Sequence, residues 1–190
     1  MVALRGLVLA GGRASRLGGR HKPGIPIDGE PIVARAVAAL RAAGAEALVV
    51  GEPAGVPSGV PVVREDPPFG GPLAGVAAGV AALEPRAGGV VLLVGGDMPF
   101  VAGGSLRALA EAAADGVALA VDDAGRAQPL CAAWDEHVLR SRLAAIGDPA
   151  NLPVRLLLDG MDPTLVPLPA RELMDVDTPH DLRAAQNPGR

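Results

Sequence analysis

After the apolar run Leu7-Val8-Leu9-Ala10 the chain breaks into "GGRASRLGGRHK", residues 11–22, where two glycine pairs are set among three arginines and a lysine. This combination suits phosphate. Glycine lets backbone N–H groups approach an anion with no Cβ in the way, and the side chains of Arg16 and Lys22 can reach its oxygens. A solvated surface turn would use the same residues, so the rest of the chain has to decide between the two. Two common phosphate motifs are excluded: no Gly-Lys-Ser/Thr occurs anywhere, and the spacing after Gly11 does not give G-x-G-x-x-G.

A second candidate is Asp97, which follows "GGVVLLVGG", the most continuously apolar stretch of the chain. Such a run reads as a central strand buried on both faces, which puts Asp97 at the carboxyl edge of a sheet, where open α/β folds bind ligands. A carboxylate there either holds Mg²⁺, which takes oxygen ligands and bridges phosphates, or starts the turn into Met98-Pro99. Asp177 is open to the same pair of readings, as metal ligand or helix cap. Thr178 is the better cap, which leaves Asp177 for a metal. His21, His137 and His180 are dispersed, so neither a zinc site nor a triad is expected. The single cysteine, Cys131, sits in apolar "PLCAAW" and reads as a small core residue in a reducing compartment.

The elements that must position these groups alternate in the manner of an α/β domain. Strands are expected at "LRGLVLA", "EALVVG", "VPVVRE", "GGVVLLVGG", "VALAVD" and "AQPLCAAW", with a short hairpin around Asp28-Gly29. Helices are expected from Pro31 to Gly44, from Pro72 to Glu84 and, capped by Ser105, from Ser105 to Asp115. Residues 135–165 suggest one or two helices and a strand near "TLVPL". In "MDVDTPHDLRAAQ", Thr178 as N-cap, Pro179 at the first helical position and Asp181 three residues after the cap form a carboxylate variant of the capping box. A single domain over residues 1–190 is expected, a mostly parallel sheet with helices on both faces.

The net charge of −4 and an aromatic content of 2% argue against nucleic acid as partner, since neither a basic surface nor stacking platforms are available. No apolar run approaches the length of a membrane span, and the start is too short and glycine-broken for a signal peptide, so a cytoplasmic protein is expected.

Four segments in order, "LAGGRASRLGGRHK", "EDPPFGGPLAGVAAGV", "VLLVGGDMPFV" and "MDVDTPHDL", resemble the signature motifs of the molybdenum cofactor guanylyltransferases, within the MobA-like nucleotidyltransferases. "AQPLCAAW" is a weaker fifth match, and the resemblance spans nearly the whole chain. It implies a three-layer Rossmann-like nucleotidyltransferase fold and a GTP site built from Leu9, Ala10, Gly11, Gly12, Lys22, Asp66, Gly71, Pro72 and Asp97. It also implies Mg²⁺ on Asp97 and Asp177, with Arg16, Lys22 and Asp97 as the catalytic group. Guanine is implied over cytosine by Leu9-Ala10-Gly11-Gly12, since the molybdopterin cytidylyltransferases tend to carry Leu-Ala-Ala-Gly.

Gly51 stands where some members have an asparagine for the nucleotide, and Asp175 and Asp177 where some have two asparagines. The implied reaction joins GMP to the phosphate of molybdopterin or its molybdenum form, with a monomer expected to suffice. Because the acceptor phosphate is itself a nucleophile, no catalytic base is needed, and positioning and charge neutralisation remain as the protein's task. Two alternatives stay open at this point. One is a guanylyl- or cytidylyltransferase for another phosphorylated acceptor, such as a phospholactate-type precursor. The other is a nucleotide-binding regulatory protein without turnover.

Overall fold

The structure, a computed structural model, describes residues 3–11, 22–113 and 116–186. Its main sheet has seven strands: β1 (Leu4–Ala10), β4 (Glu46–Gly51), β5 (Val62–Val63), β6 (Val90–Gly95), β7 (Val117–Val121), β8 (Ala127–Asp135) and β9 (Thr164–Pro167). The order is β5-β4-β1-β6-β8-β7-β9, and only β8 runs antiparallel to its neighbours. β6 is buried at every position and occupies the centre, as its unbroken apolar run requires. Along β6 the side chains alternate: Val90, Leu92 and Val94 face one layer, Val91 and Leu93 the other.

Helices fill both layers. On one face α1 (Ile32–Ala42) and α3 (Gly103–Ala112) bury Val33, Val37, Leu40, Leu106 and Leu109; on the other α2 (Pro72–Ala82) and α4 (Glu136–Ile146) bury Leu73, Val76, Val80 and Leu139. This is the three-layer α/β arrangement expected. No helix among the described residues is long and apolar enough to cross a membrane.

Local signals set several boundaries. Asp28 (φ 50°) and Gly29 (φ 85°) make the paired left-handed turn that joins β2 (Pro26–Ile27) to β3 (Glu30–Pro31). α1 stops at Gly44 (φ 85°), where Gly44 N donates to Arg41 O at 2.9 Å and Ala45 N to Leu40 O at 2.9 Å, the two bonds of a Schellman end. The last helix, α5 (Pro179–Gln186), opens with the expected reciprocal cap. Thr178 N donates to Asp181 Oδ2 at 2.7 Å, and Asp181 N donates to Thr178 Oγ1 at 3.2 Å.

α3 departs from expectation. It begins at Gly103, two residues before Ser105, and no side chain of its own caps it. Instead the Ala102 amide donates to the Glu172 carboxylate at 2.9 Å. The reason is tertiary. A Cβ on Gly103 would lie 2.7 Å from Ala42 Cβ and 3.0 Å from Ala39 O, so the glycine lets α3 press onto α1. Close packing overrides the local preference for serine as a cap.

At the amino ends of the strands, Arg5 of β1 is buried at 2% exposure and pairs with Glu136, also 2% exposed, at the start of α4. Arg140 Nε joins Glu136 at 2.9 Å, and Arg5 also donates to the Glu84 carbonyl. Burial, with Arg86 and Arg140 nearby, pulls the Arg5 pKa down from its ordinary value. Removing one partner strands the other charge in the interior. Glu136→Ala is therefore expected to cost about 3–5 kcal/mol of unfolding free energy in urea titration.

Candidate functional site

At the opposite, carboxyl edge of the sheet the ends of β1, β4 and β6 are pressed together with no side chains between them. A Cβ on Gly51 (φ 135°), the last residue of β4, would fall 2.5 Å from the Ala10 carbonyl carbon and 2.6 Å from Gly11 N. On the other side a Cβ on Gly96 would meet Ala10 Cα at 2.9 Å, and Gly96 N donates to Leu9 O at 2.9 Å. No asparagine could stand at position 51 without moving this backbone. The departure from the family pattern is thus a packing requirement of the chain.

Above this junction lies a cavity of about 260 Å³, lined by Leu9, Gly11, Val50, Glu65, Phe69, Gly71, Pro72, Gly75, Asp97 and Leu130. Leu9 and Gly11 come from the first motif, Gly71 and Pro72 from the second and Asp97 from the third, so segments far apart in sequence share one space. Gly71 (φ 90°) is the N-cap of α2 and Pro72 its first residue, which aims the free N–H end of that helix toward the cavity. Asn151, also left-handed at φ 59°, donates its N–H to Gly70 O at 2.6 Å and holds this turn from outside.

Asp97 is positioned by two glycines and by the C-terminal segment. A Cβ on Gly95 would lie 2.7 Å from Asp97 Oδ1, so the carboxylate folds back over the end of β6. The Asp97 carbonyl accepts from Val176 N at 2.9 Å, which ties the fourth motif to the third and brings the backbone flanked by Asp175 and Asp177 to this edge. The fifth segment joins here too, since Gln128 of β8 donates through Nε2 to Asp175 Oδ2 at 3.2 Å. The structure therefore gives Asp175, which had no role in the sequence, a definite partner. Asp177 N donates to Asp181 Oδ2 at 3.2 Å, as part of the cap of α5.

The remaining candidates fall elsewhere. Ala10 is fully buried beneath the cavity, and Asp66 is exposed and does not line it. The backbone of Lys22 starts the 3₁₀ turn Lys22–Gly24. Gly12 and Arg16 lie outside the described residues. Cys131 is buried, and burial pushes its thiol up to about 12, so it is a neutral core residue.

Sequence reasoning missed Glu65, Phe69, Val50, Gly75 and Leu130. Phe69 carried a signal: one of only two phenylalanines in the chain, it sits in a polar, proline-rich loop, and it is 47% exposed at the cavity with the Arg64 guanidinium 5.0 Å from its ring centre. Among the described residues no group of three or more His, Cys, Asp or Glu could hold a metal ion alone.

Known proteins place the chain. The family model for the MobA-like NTP transferase domain matches residues 6–159. A molybdenum cofactor guanylyltransferase from Cereibacter sphaeroides is 34% identical over 135 residues, covering 69% of this chain and 68% of that protein. Among solved structures, a Methanothermobacter nucleotidyl transferase superposes with a TM-score of 0.75 at 28% identity, covering 97% of this chain and 96% of the other. The molybdopterin-guanine dinucleotide biosynthesis protein A of Archaeoglobus fulgidus shares the fold with a TM-score of 0.71 at 18% identity, covering 96% and 97%.

Gly95→Ala isolates the placement of Asp97. The new methyl group takes the space that the carboxylate now fills and also lies 3.2 Å from Cγ and 3.3 Å from Sδ of the buried Met98; both side chains are flexible and can give by small shifts at little cost to the fold. Thermal melting is expected to change little while nucleotidyl transfer falls about tenfold, the effect of a small misplacement of a positioned group. Taken together, the shared cavity and the match over most of its length establish that this chain belongs to the MobA-like NTP transferase family.

Proposed function

We propose that the protein transfers GMP from GTP to the terminal phosphate of molybdopterin or its molybdenum form, releasing pyrophosphate, in the cytoplasm. The observation that carries this reading is the convergence of Leu9, Gly11, Gly71, Pro72 and Asp97 on one cavity at the carboxyl edge of the sheet. Relatives named molybdenum cofactor guanylyltransferase support the choice of guanine and of acceptor.

In this reading the base enters between the end of β1 and the start of α2, and the triphosphate runs along the glycine-rich loop toward Asp97. An oxygen of the acceptor phosphate attacks the α-phosphorus of GTP. A new P–O bond forms as the bond from the α-phosphorus to the bridging oxygen breaks, and that oxygen leaves with pyrophosphate. The acceptor is already ionised, so no side chain has to remove a proton. The cations Arg16 and Lys22, on the glycine-rich loop that follows Gly11, orient the phosphates and offset their charge.

Asp97, and Asp177 on the segment tied to it through Val176, are the carboxylates that would hold Mg²⁺, and the ion would there neutralise charge on the phosphates.

The test is pyrophosphate release with GTP and molybdopterin. Asp97→Asn preserves shape and removes the charge a hard cation needs, so turnover is expected to fall on the order of a hundredfold while the melting temperature is retained. Wild-type turnover by this variant would remove Asp97 from the mechanism. Lys22→Ala is expected to weaken GTP binding by about 1.5–3 kcal/mol, the worth of a hydrogen bond to a charged group, as read by titration calorimetry.

A further inference from the structure

One buried carboxylate that lines the cavity has an oxygen with no hydrogen-bond partner, and the family motifs do not explain it. Glu65 is 7% exposed; its Oε1 accepts the Phe69 N–H at 3.0 Å, while its Oε2 is buried and has no hydrogen-bond partner. The adjacent cation, Arg64, pairs instead with Glu52 at 2.8 Å. Both carboxylate oxygens lie close to Gly11, 3.7 and 3.9 Å from where its Cβ would be, at the β1 end of the cavity. A carboxylate oxygen removed from water needs donors, and the described residues supply none to Oε2.

The cavity therefore holds two carboxylates with different needs. Asp97 is the one suited to a cation and phosphates. A triphosphate beside Glu65 would be repelled, so the part of the ligand that meets Glu65 has to bring N–H groups. The walls around Glu65 are apolar: Leu9, Val50, Pro72 and Gly75, with Phe69 at the mouth. They suit the faces of a flat ring. The Cβ position of Gly75 lies 3.6 Å from Leu9 Cδ2 and 3.8 Å from Val50 Cγ1, so these three residues border the same part of the cavity.

We propose that Glu65 is the residue that selects guanine, its carboxylate accepting the N1–H and the 2-amino hydrogens of the base. Guanine offers two adjacent donors along that edge. Adenine offers a lone pair at N1 and cytosine a lone pair at N3, and either would face the carboxylate as like against like. Asp66, the neighbour to which the motif comparison points, is exposed and outside the cavity, so in this chain the reading of the base falls one residue earlier. This assignment rests on the reading of the protein as a GTP-dependent transferase.

The experiment is nucleotide titration of the full chain, without acceptor, using GTP, ITP, XTP and 1-methyl-GTP. Wild type is expected to bind GTP more tightly than ITP, which lacks the 2-amino group, and to bind 1-methyl-GTP and XTP at least tenfold more weakly than GTP. In Glu65→Gln, Oε1 can still receive the Phe69 N–H while Nε2 donates to the 2-oxo group of xanthine. GTP is expected to weaken at least tenfold and XTP to tighten at least tenfold, a gain that misfolding cannot imitate.

Equal binding of GTP and 1-methyl-GTP by wild type would overturn the assignment, as would a Glu65→Gln variant with wild-type GTP affinity and no gain for XTP. Either result leaves the transferase reading standing. A wild-type protein that binds no GTP overturns both.

Discussion

The site depends on a contact between backbones. Gly51 and Gly96 close on Ala10 from opposite sides, at distances where a Cβ on either would overlap main-chain atoms. The last turn of backbone from β1 into its loop is thereby clamped between its two parallel neighbours before any ligand arrives. Leu9 and Gly11 line the cavity because of that clamp, and Asp97 is measured from it, one residue beyond Gly96. Preorganisation of this kind lowers the cost of ordering a loop around a charged ligand, since part of the ordering is done by the fold.

Stability and chemistry are assigned to opposite ends of the same strands. The amino ends carry the buried Arg5–Glu136 pair, satisfied further by Arg140 and by carbonyls of the loop after α2. The carboxyl ends carry Glu65 with one oxygen unsatisfied and a cavity wall of glycines. A buried charge that meets an opposite charge inside the protein holds the fold together; one that meets none among the described residues is suited to a ligand. The same interior chemistry thus serves packing at one edge and recognition at the other, and β6, buried along its whole length, joins the two.

Most elements were legible because their signals are local: Pro72 at the first position of α2, Gly44 at the end of α1, the Thr178–Asp181 cap and the unbroken apolar run of β6 all work through neighbouring residues. Contacts across the fold were not. The start of α3 is set by Gly103 against Ala42, which no local preference reports. The order of strands, with antiparallel β8 between β6 and β7, follows from pairing at long range. For the site, Asp97 and the Gly71-Pro72 turn could be named from their place after a strand and before a helix. The adjacent acids Glu65 and Asp66 could not be told apart, because which of them turns inward is decided by the Phe69 amide that Glu65 accepts.

The hydrogen bond from Val176 to Asp97 also has a temporal side. The stretch that the family model matches, residues 6–159, is synthesised before β9, the Asp175–Thr178 segment and α5 emerge from the ribosome. Until then β7 lacks its outer neighbour, the hairpin of β2 and β3 lacks the Val176 and Ala185 that cover it, and Asp97 lacks its tether. A nascent chain with the early motifs already translated can fold its central strands yet has no finished edge for the phosphates. Completion of the site thus waits for the segment around Val176, so a chain cut off before it, though it carries the first three motifs, leaves Asp97 without that tether.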